Sequence, residues 1–225
     1  MCGRFGVYAE SKEYNTQLPF NIRNGLFDFE PNYNAAPSQM LPALYYPEND
    51  APLLERLRWG LIPRWAKDRK IGYRLINARS ETADEKPAFR DAFIRRRALI
   101  PVNGWYEWLS QKGQKQPYWH TRMDDRLLWL AGLWDAWTDK NSGESIRSFT
   151  ILTQDAYGEI ARIHNRMPVV MQPDDYERWL SPVMNNKTEI SDLIRTQPQI
   201  ELNIYPVSSA MNRVQLNDAS CIRTL

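Results

Sequence analysis

Apolar and aromatic residues in this chain fall in short runs set off by turn residues: MLPALYY (40–46), ALIPV (98–102), WYEWL (105–109), LLWLAGLW (127–134), SFTILT (148–153) and MPVVM (167–171). β-Branched and aromatic residues bounded by Pro or Gly favour strands, so these runs predict a sheet-rich core. Helical patterns are fewer. ETADEKPAFRDAFIRRR (81–97) has acids early, Arg late, and Phe89 and Phe93 at i, i+4. That pattern predicts an amphipathic helix running into ALIPV, with Pro87 in its first turn or splitting off a short lead-in. PDDYERWL (173–180) and KTEISDLIRT (187–196) predict two further helices. There is no internal repeat, low-complexity tract or long linker. The expectation is a strand-dominated α+β fold, one domain over residues 1–225, with its helices on the outside.

A length of 225 residues suffices for one sizeable core. Nine Trp and eleven Tyr are unusual, and both side chains serve cores as well as surfaces on which bases stack. A net charge of +2 says little about partners, but its distribution says more. Arg56, Arg58, Arg64, Lys67, Arg69, Lys70, Arg74 and Arg79 share their stretch with Asp68 as its one acid, interleaved with Trp59, Trp65 and Tyr73. Such a segment reads either as solvated surface or as a flexible path for single-stranded nucleic acid, cations on phosphates and rings on bases. The first twenty residues contain Arg4, Glu10, Lys12 and Glu13 and no apolar signal region. LLWLAGLWDAW is too short for a membrane span and contains Asp135. Two cysteines make no disulfide framework, and Cys2, His120, His164 and Cys221 lack metal-ligand spacing. A soluble cytoplasmic protein with reduced thiols, and without metal or cofactor, is expected.

The residue behind Met1 carries the most specific chemistry. Once Met1 is removed, Cys2 bears a free α-amine and a thiol on adjacent carbons. An aldehyde condenses with the amine to an imine, and the thiol closes on the imine carbon to give a five-membered thiazolidine. An internal cysteine cannot do this, and a retained Met1 would block it. The opening MCG is also compatible with an N-terminal nucleophile amidohydrolase, whose thiol attacks an amide, or with a small residue starting a strand. Glu107, in NGWYEWL, shares a strand face with Trp105 if residues 105–109 alternate. A carboxyl desolvated among aromatics has a raised pKa suited to proton transfer; on an edge strand it would simply face water. Asn77 and Arg79 precede Ser80, a candidate N-cap of the 81–97 helix, where free backbone N–H groups make an anion site. His164 precedes the 167–171 strand and reads equally as a structural residue; His120 is given no role.

With these residues in view, the chain resembles the SRAP family of SOS-response-associated peptidase domains. The resemblance rests on MCGRF, YNAAPSQ (33–39), RWGLIPRWAKD (58–68), INARSET (76–82), LIPVNGWYEW (99–108), GLWDAW (132–137), FTILTQDA (149–156), IHNRMPVVM (163–171) and NDAS (217–220). It implies a compact domain around a curved, barrel-like, mainly antiparallel sheet with peripheral helices. It also implies a covalent trap for abasic sites in single-stranded DNA: the open sugar's aldehyde is captured by the N-terminal cysteine as a thiazolidine crosslink that shields the lesion. Carried over by motif, Cys2 is the nucleophile, Asn77 positions the amine and sugar, Glu107 moves protons and His164 assists at the sugar oxygen. Arg4, Pro37, Trp65 and Arg79 match positions lining the DNA path, and Thr153 one near the lesion. The family name records a proposed peptidase activity, covering removal of Met1, and lyase-type activity is associated with the same site. The implied partner is single-stranded DNA with abasic sites, bound at the nucleoid with no membrane; a monomer is the default expectation for a single-strand binder of this size.

Two departures stand out. Asn165 follows His164 where the family has Asp, so no charge there would raise the histidine's pKa, and Val102-Asn103 replace Ala-Asp. The chain ends at Leu225, so the partner motifs of longer eukaryotic tails are expected to be absent. A non-covalent single-strand binding module and the amidohydrolase remain the alternatives; the first would leave Cys2 idle, the second the Arg/Trp stretch.

Overall fold

The computed structural model describes residues 2–18, 22, 30–47, 51–111 and 113–225; Met1 lies outside them. Its strands begin with β1 (Phe5–Val7), β2 (Asn32–Ala35), β3 (Met40–Tyr45), β4 (Leu53–Trp59) and β5 (Asn77–Arg79). They continue with β6 (Arg97–Val102), β7 (Gly104–Gln111), β8 (Gln114–Arg122), β9 (Leu128–Thr138) and β10 (Ser145–Asp155). β11 (Arg166–Pro168), β12 (Val170–Met171) and β13 (Leu202–Pro206) complete the set. The helices are α1 (Ser11–Thr16), α2 (Arg90–Arg95), α3 (Ile160–Ile163), α4 (Tyr176–Leu180) and α5 (Lys187–Arg195).

Strands β10, β4, β3, β6 and β9 pair in that order, and β9 pairs again with β10, closing a five-stranded barrel. Closure leaves these strands without open edges. The ring is antiparallel except where Arg58 and Trp59 of β4 run parallel to Ser148 and Phe149 of β10, so the barrel is mixed. β5 adds to β10 in parallel, while β11 and β12 add antiparallel to β10 and β9. A second sheet, ordered β13-β8-β7-β1-β2, is antiparallel throughout. The alternation of β7 connects two cores: Trp105 enters the main one with Phe5, Trp59 and Leu99, and Tyr106 enters a smaller one with Trp119, Val207 and Cys221. Gly104 permits the close approach. A Cβ there would lie 2.5 Å from the Trp119 ring and nearer still to the His120 carbonyl oxygen.

The α+β class and the barrel-like sheet are as expected, and residues 173–180 and 187–196 contain α4 and α5. The 81–97 segment is not one helix. Residues 80–82 form a 3₁₀ turn, further turns follow through 89, and only Arg90–Arg95 is α-helical before β6 begins at Arg97. Pro87 has no N–H to donate. The buried Arg97 guanidinium then caps the carbonyls of Phe93 and Ile94 at 3.0 and 2.6 Å, ending the helix. With no helix behind it, Ser80 caps nothing, and the anion site reasoned from a helix start falls away. The run at 167–171 is two strands. Val169 donates to Leu152 of β10 and accepts from Ala131 of β9, both at 2.9 Å, so the chain changes neighbour there. The cationic stretch is not a flexible segment throughout either: Arg56, Arg58 and Trp59 belong to β4, and Trp59 is fully buried against Phe5. Among the described residues no helix is long and apolar enough to cross a membrane, and no cluster of acids, His and Cys could hold a metal ion.

Candidate active site at the amino terminus

Four separate parts of the chain meet around Cys2. β1 pairs with β7 through Phe5–Trp105 and Gly6–Gly104, and the Tyr106 N–H donates to the Arg4 carbonyl at 3.0 Å. This carries the pairing toward Glu107 as the chain runs back to Cys2. From the barrel side, β5 is held on β10 by the Ile151–Asn77 register, which fixes Asn77. Its Nδ2 donates to the Cys2 carbonyl at 2.7 Å. The Asn77 Oδ1 is buried and accepts no hydrogen bond among the described residues. From a third direction α3 packs against β7 and delivers His164 from its C-terminal end.

Cys2 is fully buried and its thiol is free. Burial first, and the charge of Glu107 second, push that thiol well above the usual range, so at neutral pH it keeps its proton. Glu107 is 1% exposed, on a strand interior to its sheet, which excludes the water-facing edge position. Burial raises its carboxyl from 4.5 to about 7. Near neutrality both of its forms are populated, so it can donate a proton and take one back.

The Arg166 N–H donates to His164 Nδ1 at 2.9 Å, which places the proton of the neutral ring on Nε2. Burial lowers the pKa of His164, so this neutral form, a donor through Nε2, dominates at pH 7. Asn165 is exposed, with its carbonyl accepting from the Ala156 N–H at 3.0 Å. Glu107, His164 and Arg4 line one open cleft of about 520 Å³ together with Trp108, Ser110, Lys115 and Asn212. A similar opening of about 530 Å³ between Ser80–Glu85 and Lys187–Arg195 contains neither Cys2 nor the groups around it.

The other sequence-derived positions divide by exposure. Trp65 is 56% exposed, its Nε1 donating to the Pro87 carbonyl at 3.3 Å, and Arg79 is exposed at the end of β5. Pro37 is half-buried in the turn joining β2 to β3. Arg4 is nearly buried: its guanidinium binds Asn34 Oδ1 and the Met211 carbonyl, tying β1 to the C-terminal segment while reaching the cleft. Thr153 is fully buried, with its hydroxyl on the Ala78 carbonyl at 3.3 Å. Sequence reasoning overlooked Arg166. Its guanidinium grips Glu81 through two 2.8 Å bonds, Asp155 at 2.6 Å and the Thr153 carbonyl at 2.6 Å, while its backbone N–H orients His164. The spacing of His164 and Arg166, two residues apart in IHNRMPVVM, was the available signal.

The chain is 35% identical over 225 residues to the abasic site processing protein YoaM of Bacillus subtilis, covering 99% of this chain and 97% of that one. It is 30% identical to the abasic site processing protein YedK of Escherichia coli, covering 99% of each. It is also 30% identical to the abasic site processing protein HMCES of Gallus gallus, over 92% of this chain and 69% of that one. A solved structure from Bacteroides thetaiotaomicron has the same fold over the whole of both chains, with a TM-score of 0.86 at 24% identity. A phage-related protein from Bordetella bronchiseptica matches with a TM-score of 0.73 at 29% identity, over 92% of this chain and 94% of that one. The family model for the SOS response associated peptidase matches residues 1–214. The chain belongs to the SRAP family.

Proposed function

We propose that this protein processes abasic sites in single-stranded DNA by capturing them covalently at Cys2. The observation that carries the reading is the convergence at that residue: Asn77 on its carbonyl at 2.7 Å, with the Glu107 carboxyl close enough to perturb its thiol. Relatives named for abasic site processing support it.

Removal of Met1 frees the Cys2 amine, and the buried Asn77 Oδ1 is the acceptor for it. The neutral His164 ring donates through Nε2 to the sugar oxygen as the abasic sugar opens to its aldehyde. The amine adds to the aldehyde carbon. Protonated Glu107 supplies the proton with which the hydroxyl leaves as water, giving the imine in its nitrogen-protonated form. The thiol is not ionised at rest, so it needs a base. The Glu107 carboxylate takes the S–H proton as the S–C bond forms, and the C=N electron pair returns to the nitrogen, which keeps its one proton. One water is lost overall, and Glu107 ends in the form in which it can act again. Were the imine to eliminate the 3′ phosphate before the thiol closed, the strand would be cut, which is the lyase-type outcome.

Intact mass after mixing the protein with an oligonucleotide carrying one abasic site tests the proposal. The expected species is the Met1-less protein plus DNA minus one water. Cys2→Ala should give none of it while binding the oligonucleotide within about twofold of wild type. A Met1-less protein that stays unmodified, or a Cys2→Ala variant that still forms a stable crosslink, overturns the mechanism.

A further inference from the structure

Two short elements deliver His164, and neither is long enough to hold it alone. α3 is four residues long and ends on His164, whose backbone is already extended; β11 is three residues long and begins at Arg166. The restraint on this corner comes from far along the chain. The nearly buried Arg166 guanidinium donates from both terminal nitrogens to the two Glu81 oxygens, at 2.8 Å each. Such a two-point pair fixes the plane of a guanidinium as well as its position. The Thr153 carbonyl and Asp155 each accept a further bond at 2.6 Å. The Asp155 side chain is 89% exposed, so water competes for it, and Glu81 is the stronger of the two acidic anchors.

Glu81 is placed by the strand that bears Asn77. It lies in the 3₁₀ turn Ser80–Thr82, directly after β5. β5 and β11 share one neighbour, β10, whose Thr153 is in register with Arg79 of β5 and with Pro168 of β11. The Glu81–Arg166 pair therefore closes across the end of β10. It ties the segment that holds Asn77 on the Cys2 carbonyl to the segment that holds His164. The last link is short: the Arg166 N–H meets His164 Nδ1 at 2.9 Å, so a shift of the Arg166 backbone turns the imidazole. Glu81 is not among the residues lining the cleft of Glu107 and His164, so any effect it has on the chemistry passes through Arg166.

We infer that Glu81 is a positioning residue for the capture reaction: its grip on the Arg166 guanidinium fixes the backbone N–H that orients the His164 ring. The inference rests on the role given to His164 in the reading above. Without that N–H the neutral imidazole is free to turn and to move its proton between Nδ1 and Nε2, and it no longer presents a fixed donor to the sugar oxygen.

The test is a double-mutant cycle on the single-turnover rate of crosslinking to a single-stranded oligonucleotide with one abasic site. Glu81→Ala should slow the reaction by about 10- to 100-fold. Its Kd for an oligonucleotide with a tetrahydrofuran analogue, which lacks an aldehyde and reports binding alone, should match wild type. In a His164→Ala background, Glu81→Ala should slow the reaction by less than about twofold further, because the ring it positions is already gone. Glu81→Gln cannot accept both guanidinium bonds and should repeat the pattern, and it serves in the cycle if the Ala variant does not fold. Wild-type rates in both Glu81 variants, or an equal loss with and without His164, overturn the inference. Nitrogen-15 spectra of the ring atoms separate the two claims, since the chain has two histidines and His164→Ala assigns them. Wild-type His164 should show Nδ1 as an acceptor and Nε2 protonated. In Glu81→Ala the two signals should move toward a common average while those of His120 stay. Unmoved His164 signals beside normal wild-type crosslinking remove only the positioning role. Moved signals without any wild-type crosslink leave it standing and remove the capture mechanism.

Discussion

Replacing Glu107 by Gln keeps the shape of the side chain and deletes its charge, which turns the site's electrostatics into a stability measurement. In the folded protein burial holds the carboxyl at about 7 against an ordinary 4.5. Below pH 4.5 the group is protonated folded or unfolded, and its charge costs nothing. As pH rises from 4.5 to 7 the unfolded chain releases the proton while the folded one keeps it, so wild-type stability falls. Above 7 the loss is complete, at about 3 kcal/mol for a difference of this size. The amide that replaces the carboxyl does not titrate. Glu107→Gln should therefore match wild type near pH 4.5 and exceed it by about 3 kcal/mol at pH 8, read from urea unfolding at several pH values. The same variant should crosslink abasic DNA more slowly at pH 7, because the group that moves the protons is gone. A more stable, less active protein is the signature of a strained functional carboxyl. Parallel stability profiles for the two proteins from pH 4.5 to 8 would refute the raised pKa and, with it, the proton role derived from it.

Two further outcomes follow from the structure. Arg79→Ala should weaken single-strand binding and reduce the slope of log K against log salt by about 0.7, since this exposed cation makes no ion pair among the described residues; an unchanged slope in a salt titration removes Arg79 from the DNA path. Arg97 donates to the carbonyls of Phe93, Ile94, Trp179, Ser181 and Met184, joining the ends of α2 and α4 to the barrel. Arg97→Met should cost roughly 3 kcal/mol and lower Tm by roughly 6–12 °C, through carbonyls left buried without donors, and a Tm within 2 °C of wild type would contradict that account.

The sequence by itself determined the strand-rich class and most long strands, and it carries the amine–thiol pairing that a Cys2 freed of Met1 would present. Those strands are legible because β-branched and aromatic runs bounded by turn residues record a local preference. An amine beside a thiol is likewise a property of one residue. α4 and α5 were readable because the Pro and two acids that start 173–180 and the pattern within KTEISDLIRT are local, while the Asn186 cap of α5 is a finding of the structure. Where a distant partner decides the outcome, local pattern misleads. The helical spacing of Phe89 and Phe93 is real, but Arg97 ends the helix by binding the Phe93 and Ile94 carbonyls of its last turn and the Trp179 carbonyl of α4. Trp59 lies in a cationic stretch of sequence and is drawn into the core by Phe5 and Phe149. β1 and β5 are three residues each, too short to show a period, yet they position Cys2 and Asn77. Barrel closure depends on the register of β9 and β10, and the separate pairing of β5 with β10 sets Asn77 where it meets the Cys2 carbonyl. The state of Glu107 was decided last of all. A carboxyl has an ordinary pKa in any open chain, and it took the packing of two sheets to remove the water that keeps it there.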